Sequence, residues 1–341
     1  MPIAQALLWI ATACVTADAP PEEPAADETA LAAATAAKID FYLNSMLAER
    51  QKLRSGEFVV SGTKSAKLPK KPEWDYSGRV VLYCAFDATR IRFDNREPGI
   101  VAELPLTKPR KLTPGRIERM FFRTPERSVT WFQTNGRNEI GISEPGSMSG
   151  QFLFFDVRGL GSMAWQDLTS QRSGGIQKAI PALTRFARNV TVETSDPKYV
   201  QLVFLKDLGT RFEESRYWLR PDQGFAPVRL DTRVLFSRDE GWLPHEHTET
   251  SWEQRDSIWL PVKFEMTLSD ASGELNLAWK IRWQSVNKPI DDARFDWKDF
   301  GAPETVPVFD TRTGEVFVIR PGPQDKSLTV TEWMAQPWPK P

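Results

Sequence analysis

The sequence is poor in the residues that build covalent frameworks and the commonest chemical sites. It has two cysteines, Cys14 and Cys84, and two histidines among 341 residues, so a network of disulfides is excluded. Basic and acidic residues nearly balance, at 44 and 45, which removes the global field that would attract nucleic acid or an anionic membrane. The sequence also lacks an internal repeat and a glycine-rich phosphate loop. We therefore predict no cofactor and no nucleic-acid partner.

Residues 258–283 carry the strongest pattern in the chain, an unbroken alternation of apolar and polar side chains. Successive side chains on a strand point to opposite faces, so this period of two predicts a β-hairpin with one apolar face. The connecting residues 269–273 have the length and the glycine of a longer hairpin loop. The apolar positions are Ile258, Leu260, Val262, Phe264, Met266, Leu268, Leu275, Leu277, Trp279, Ile281 and Trp283.

Residues 28–53 change to a helical period. Apolar side chains recur there at steps of three and four, which predicts an amphipathic helix. Such a helix packs on a sheet, so its stripe is expected to cover the apolar face of the hairpin. The predicted fold class is mainly β (α+β): a large curved antiparallel sheet, or incomplete β-barrel, that wraps this N-terminal helix. The stripe consists of Ile39, Tyr42, Leu43, Met46, Leu47 and Leu53.

Weaker alternation elsewhere predicts about a dozen strands in all, and the 26 prolines and 20 glycines fit a chain with many turns. Residues 97–114 contain four prolines and are predicted to form a long irregular loop. A short helix is predicted to begin at Ile180 or Pro181, because proline is tolerated in a first helical turn.

The N-terminus has features of an export signal. Residues 6–15 form an apolar run too short to span a bilayer, and Val15-Thr16-Ala17 places small residues where a signal peptidase cleaves. We predict a signal peptide over residues 1–17, a polar linker over 18–27, one β domain over 28–320 and a proline-rich tail over 321–341. The protein would then be periplasmic or secreted. A lipid anchor on Cys14 and a cytosolic protein with a buried N-terminus stay open as alternatives.

Two histidines two residues apart form a candidate metal site. His245 and His247 on one strand face could ligate zinc, with Glu249 or Asp239 as a further ligand. These acids belong to a charged, surface-type stretch, so a solvated strand edge is the favoured interpretation and no metal site is predicted.

Candidate catalytic groups give weak signals. Carboxylate pairs of the kind glycosidases use are expected by chance among 45 acids, and a Gly-Ser pair has no strand–turn–helix context of a nucleophile elbow. Cys84 lies in an alternating apolar strand, which favours a buried, inert thiol over a nucleophile. We predict no catalytic residue. The groups weighed are Asp291-Asp292, Asp296 with Asp299, and Gly161-Ser162.

Basic side chains cluster within a twenty-residue window. A solvated loop is the favoured interpretation, and contact with phosphate head groups or anionic glycans is the alternative. The cluster therefore leaves peripheral contact with an envelope membrane open. It comprises Lys108, Arg110, Lys111, Arg116, Arg119, Arg123 and Arg127.

Five stretches carry a resemblance to a known family: residues 53–58, 79–94, 126–132, 217–225 and 252–261. With the helix before them, they resemble the LolA/LolB-like fold of periplasmic lipoprotein carriers and the N-terminal domain of RseB-type sensors. The resemblance implies one LolA-like domain and an arginine in the second hairpin, which Arg90 or Arg92 matches.

By that resemblance, the curved sheet would hold an apolar ligand, a lipid or a lipoprotein acyl chain, in a monomeric exported protein. A non-catalytic envelope scaffold that uses surface Trp and Arg is the alternative, and an uncharacterised hydrolase is third. The predicted ligand-binding residues are Ile258, Leu260, Val262, Phe264, Met266, Leu277, Trp279, Ile281 and Trp283 of the hairpin, with Leu43 and Met46 of the helix.

Overall fold

The computed structural model describes residues 26–102, 112–134, 137–145, 155–164, 187–236, 241–300, 306–318 and 328–329, with residues 176, 180 and 183. The predicted signal peptide, the alternative anchor at Cys14 and nearly all of the predicted linker and tail lie outside these residues. So does most of the helix predicted near residue 180, although Ile176 and Ile180 themselves are helical and buried.

One long helix, α1 (Ala26–Gln51), opens the described chain and confirms the predicted helix. Its side chains Ile39, Leu43 and Met46 are buried, at the three- and four-residue steps of an amphipathic helix. The last turn tightens, because the amides of Lys52 and Leu53 donate to carbonyls three residues earlier, each at 3.3 Å.

Strands make up most of the remaining described chain. Short 3-10 turns occur between some of them, and Asp156 caps one such turn by accepting from the amide of Arg158. The strands are β1 (Gly56–Lys67), β2 (Tyr76–Phe86), β3 (Ile91–Ala102), β4 (Leu112–Arg123), β5 (Ser128–Thr134), β6 (Arg137–Ser143), β7 (Ala187–Glu193), β8 (Val200–Asp207), β9 (Phe212–Arg220), β10 (Ala226–Leu235), β11 (Leu243–Arg255), β12 (Ile258–Asp270), β13 (Gly273–Val286), β14 (Pro307–Asp310), β15 (Glu315–Val318) and β16 (Leu328–Thr329).

All these strands belong to one open, curved sheet. Its order is β16-β15-β14-β6-β5-β4-β3-β2-β1-β13-β12-β11-β10-β9-β8-β7. Strand β1 lies near the middle and pairs with β2 on one side and β13 on the other. Two runs of neighbouring strands, β2–β6 and β7–β13, therefore meet along β1. The predicted fold class, a large curved and mainly antiparallel sheet with an N-terminal helix, is confirmed.

Strand β14 departs from the antiparallel pattern. It pairs in parallel with β6, with Val308 opposite Ile140. The expectation of an entirely antiparallel sheet is wrong at this strand. Parallel strands cannot be joined by a hairpin turn, and here β7–β13 lie between β6 and β14 in the chain. We call residues 287–306, which lead from β13 to β14, the crossover. Alternation predicts that a segment is a strand, but it does not predict the direction of the neighbouring strand.

The loop predicted over residues 97–114 is strand at both of its ends, in residues 97–102 and 112–114. β3 and β4 pair from Ile91 opposite Arg123 as far as Ala102 opposite Leu112, and residues 103–111 lie outside the described residues. Pro98 is accommodated because the β2–β3 pairing ends before it, at Arg96. A proline without an amide hydrogen is tolerated where a strand edge is unpaired.

The β12–β13 hairpin turns more tightly than predicted. Asp270 pairs with Gly273, so only Ala271 and Ser272 connect the strands. The Asp270 carboxylate accepts from the amides of Ser272 at 2.7 Å and Gly273 at 3.2 Å. This side chain satisfies the turn amides that a longer loop would expose.

The apolar side chains form three buried clusters, which we name by position. The central core lies on the hairpin face of β1, β2, β3, β12 and β13. The helix core lies between α1 and β8–β10, and it includes Ile176, Ile180 and Leu183. The outer core lies over β4–β6, where Ile290, Phe295 and Phe300 of the crossover pack.

Candidate ligand-binding site

The predicted hairpin residues lie together in the central core. Their side chains are buried, apart from Val262, and strands β1–β3 extend the same surface. We call this surface the apolar face. It consists of Phe58, Val60, Val80, Leu82, Cys84, Phe86, Phe93, Ile258, Leu260, Phe264, Met266, Leu277, Trp279, Ile281 and Trp283.

Val262 is half-buried because the strand bulges at this point. Ser251 pairs with Lys263, whereas Trp252 pairs with Pro261, so Val262 has no residue directly opposite. A bulge interrupts the regular alternation of side chains between faces. The apolar sequence pattern passes through the bulge without any visible change.

A short segment without strand pairing covers the apolar face. Residues 155–164, the cover segment, bury Phe155, Val157, Leu160 and Met163 against the strands. The ring of Phe155 stacks on Trp279, with 5.5 Å between centroids. Within the described residues, its backbone hydrogen bonds are local, as in the 2.8 Å bond from the Gly159 amide to the Asp156 carbonyl. Side-chain packing therefore provides the main contact between this segment and the sheet.

Helix α1 does not cover the apolar face as expected. Leu43 and Met46 belong to the helix core, away from the hairpin residues with which they were predicted to form one site. Only the C-terminal end of α1 reaches the hairpin, where Arg50 donates to the carbonyl of Trp259 at 3.3 Å. Helical periodicity identifies the apolar side of a helix but not the strands it contacts.

Arg50 and two threonines are interior residues that sequence reasoning missed. Arg50, Thr248 and Thr250 are each less than 5 % exposed, at 3 %, 1 % and 4 %. The helical spacing in the sequence did indicate burial of Arg50, because it follows Met46 by four residues and so lies on the buried stripe of α1. The threonines alternate with charged residues on β11, so their period of two also predicted burial.

The two histidines bind different partners. Nδ1 of His245 lies 2.8 Å from the Ser269 carbonyl oxygen, and Nδ1 of His247 lies 2.6 Å from Asp231 Oδ1. A register shift in the β10–β11 pairing falls at this position. Each ring is thus placed by a separate contact within the sheet.

The carboxylates weighed as catalytic pairs have structural partners. Asp291 accepts from the amide of Ala293 at 3.0 Å, and Asp292 pairs with Arg90 at 2.6 Å. Asp299 pairs with Arg92 at 2.5 Å. The two ion pairs join the crossover to the β3 end of the sheet, whereas the Asp291 contact is local.

Arg92 is the more deeply buried of the two arginines that match the resemblance. It is 3 % exposed, donates to Asp94 through Nε and Nη2 at 2.9 and 2.7 Å, and donates to the Arg294 carbonyl at 2.8 Å. Burial raises the pKa of Asp94, although the guanidinium of Arg92 opposes this effect. Arg92 thus fastens the crossover residues onto β3.

The structure describes only part of the basic cluster. Lys108, Arg110 and Lys111 lie outside the described residues. Arg116 pairs with Glu118 at 2.8 Å, and the guanidinium of Arg127 lies 5.8 Å from the Phe122 ring. Burial lowers the pKa of Arg119. These described arginines therefore contact neighbouring side chains of the sheet.

Cys84 is buried within the apolar face, as predicted. Burial raises the pKa of its thiol well above the usual range, and the charges of Asp156 and Asp94 add to the effect. In the Cys14→Ser variant, we expect a disulfide reagent to label Cys84 at least about 100-fold more slowly in the folded protein than in urea. Because the pKa is raised, the rate should stay low up to about pH 9. Rapid labelling that rises with pH from neutrality would contradict this burial.

A groove opens at the end of the apolar face. Its volume is about 770 Å³, and Ile258 of the hairpin lines it together with Ile290 and Lys52. The remaining wall is mainly polar and includes charged side chains of both signs, such as Arg54 and Asp256. Among the helices of the described chain, none has both the length and the apolar content needed to cross a membrane.

Comparison with solved structures finds similar architectures at low sequence identity. A domain described as an outer membrane lipoprotein-sorting protein, from Vibrio parahaemolyticus, is 12% identical with a TM-score of 0.40. A DUF1329 family protein from Desulfovibrio piger is 11% identical with a TM-score of 0.40. Each similarity covers 76% of this chain and 98% of the other.

The fold is also similar to a LolA superfamily protein. That protein, from Nitrosomonas europaea, is 10% identical with a TM-score of 0.35, over 75% of this chain and 98% of its own. No protein-family model and no curated protein sequence matches the chain. At these identities the similarity concerns the architecture alone.

Proposed function

We propose that the protein is an exported envelope protein that binds an apolar ligand, a lipid or a lipoprotein acyl chain, on the apolar face. The observation that carries this proposal is the type of contact that holds the cover segment on the sheet. A broad apolar surface across five strands is closed by the cover segment, whose contact with the sheet is mainly side-chain packing. A ligand that displaces these side chains would leave the strand pairing of the sheet unchanged.

The cover segment and an acyl chain would gain comparable free energies when they are buried on the apolar face. Burying four large apolar side chains contributes roughly 6–12 kcal/mol, and a sixteen-carbon acyl chain contributes roughly 10 kcal/mol before entropy. Exchange between the cover segment and an acyl chain is therefore close to balanced. Such a balance suits reversible binding, in which the ligand is taken up and later released.

The groove supports a route of entry. It borders Ile258, which is both part of the apolar face and the first residue of β12. A chain that enters there would next meet Leu260, which follows Ile258 on the same side of β12. It would not need to open the β1–β13 pairing.

Replacing Leu160 in the cover segment tests the proposal. Leu160→Ala should bind the neutral dye N-phenyl-1-naphthylamine about ten- to a hundred-fold more tightly than the parent, because the variant removes a competing side chain worth roughly 1.5–3 kcal/mol. Dye fluorescence measures the affinity. Leu219→Ala in the helix core is the matched control, since both leucines are 0% exposed.

The control should lose stability as a buried leucine does, without tighter dye binding. Absence of dye binding in both the parent and Leu160→Ala would overturn the proposal. An equal gain in Leu219→Ala would also overturn it, because dye uptake would then report general loosening.

A scaffold that uses surface Trp and Arg is the second candidate. On the other face of the sheet, the Arg229 guanidinium lies 4.5 Å from the Trp218 ring, and that of Arg233 lies 4.8 Å from the Trp242 ring. Such aromatic and cationic groups are enriched in protein interfaces. A protein without dye binding would favour this function.

A further inference from the structure

Arg50 has an unusual environment for a charged side chain. It lies in the last turn of α1 and is 3 % exposed. Its guanidinium lies 4.1 Å from the Trp252 ring, and Nη1 donates to the Trp259 carbonyl at 3.3 Å. Within the described residues, Nε and Nη2 have no hydrogen-bond acceptor. Part of its donor capacity is therefore unused inside the protein.

The adjacent carboxylate does not satisfy Arg50. One oxygen of Glu49 pairs with Lys52 at 2.5 Å, and the other has no partner among the described residues. Burial lowers the pKa of Arg50 to about 10, and the Glu49 charge only partly offsets this effect. Arg50 thus remains charged at neutral pH, in an environment where an unpaired charge is costly.

Three buried hydroxyl groups, two of them on β11, are also unpartnered within the described chain. The side-chain oxygens of Ser162, Thr248 and Thr250 have no hydrogen bond within the described chain. Thr248, Thr250 and Trp252 are alternate residues of β11, so their side chains lie on the same side of the strand. The two threonines extend this row away from the Trp252 ring that lies under Arg50. Gly161 packs closely on Thr250, since a Cβ there would lie 2.7 Å from Thr250 Oγ1. This contact brings Ser162 beside the same row.

The hydroxyl row borders the apolar face directly. Thr250 pairs with Phe264, and Thr248 pairs with Met266. A buried cation and several hydroxyls therefore lie beside apolar side chains of the candidate site. These groups can donate hydrogen bonds to acceptor oxygens, and a charged oxygen is the stronger acceptor.

We propose that Arg50, with Thr250 and Ser162, binds the anionic headgroup, a carboxylate or phosphate, of an amphiphile whose chain lies on the apolar face. This inference rests on the proposed function and names the chemistry of its ligand. The headgroup supplies acceptors for Nε, Nη2 and the hydroxyls. A structural role for Arg50 at the C-terminus of α1 requires only its charge near the last carbonyls, and it does not explain the unpartnered hydroxyls.

Palmitate, methyl palmitate and inorganic phosphate separate the contributions of charge and chain. Titration of the full-length protein should show palmitate binding about ten- to a hundred-fold more tightly than methyl palmitate, the equivalent of a charge-assisted hydrogen bond. Arg50→Met should remove this difference, because palmitate loses the charge-assisted contact that its methyl ester cannot make. Arg282→Met, an exposed change on the other face of β13, is the matched control and should keep the preference.

Thr250→Val is a second variant, which preserves the shape of the side chain. Its binding affinity should fall roughly fivefold, and only for palmitate. Equal binding of palmitate and its ester by the parent would overturn the headgroup proposal and leave the proposed function standing. A preference that survives in Arg50→Met would also overturn it. Phosphate binding as tight as that of palmitate would show a free-anion site instead. Failure of both palmitate and the ester to bind would remove the proposed function together with this inference.

Discussion

Replacing Trp279 by alanine is expected to lower the free energy of unfolding by about 3–5 kcal/mol. The side chain is 1 % exposed. Its ring lies 5.5 Å from that of Phe155 and 5.6 Å from that of Phe264. Since Phe264 is held on a paired strand, the surroundings cannot fully fill the space that the indole leaves. Urea denaturation followed by circular dichroism measures the loss.

Trp218→Ala is the matched control for this prediction. Trp218 is half-buried on the other face of the sheet, where Arg229 lies over its ring. Its removal is expected to lower the free energy of unfolding by about 1 kcal/mol or less. If the two variants lose stability equally, Trp279 does not pack as closely as the structure indicates.

Gly62→Ala is expected to lower the free energy of unfolding by about 2–3 kcal/mol, because a side chain is forced into a closed space. An ideal Cβ at this position would lie 1.9 Å from the Ala278 carbonyl oxygen. That oxygen belongs to the backbone of β13, so no rotamer change relieves the overlap. The strands must separate locally, and thermal unfolding should begin roughly 5 °C or more below that of the parent.

Gly141→Ala is the control that separates the steric overlap at Gly62 from the general effect of replacing a strand glycine by alanine. Gly141 also lies in a strand, β6, but among the described residues a Cβ there would meet nothing within 4 Å. The change should be neutral or stabilise by about 0.5 kcal/mol, since alanine reduces the entropy of the unfolded chain. A similar loss in both variants would show that the Gly62 effect does not come from the contact with β13.

The elements with strong local periodicity could be predicted from the sequence. Residues of the β12–β13 hairpin alternate, and those of α1 recur at helical steps, so both patterns indicate a buried face whatever lies against it. The same patterns placed Phe264, Trp279 and Leu43 in buried positions. They contain no information on which residues meet across the fold, and Leu43 packs in the helix core rather than with the hairpin.

The rest depends on contacts between distant parts of the chain. The cover segment is too short to show a period, so its packing of Phe155 on Trp279 had no local signal. The parallel partner of β14 depends on the path of the crossover. The unpartnered nitrogens of Arg50 become visible only when every neighbouring acceptor is placed. Burial of an amphipathic side chain was thus predictable, whereas its hydrogen bonding was not.

The position of β1 has a consequence for the kinetics of folding. Gly56 pairs with Val286, so the central ladder of the sheet joins segments from nearly opposite ends of the described chain. Most other neighbours in the sheet are consecutive hairpins and can form early from local contacts. Closing the β1–β13 ladder requires a very long loop, whose entropy is lost before its contacts are gained. Folding of the two halves should therefore precede the joining of the sheet, and apolar side chains of β12 and β13 stay open to solvent or chaperones until β1 arrives.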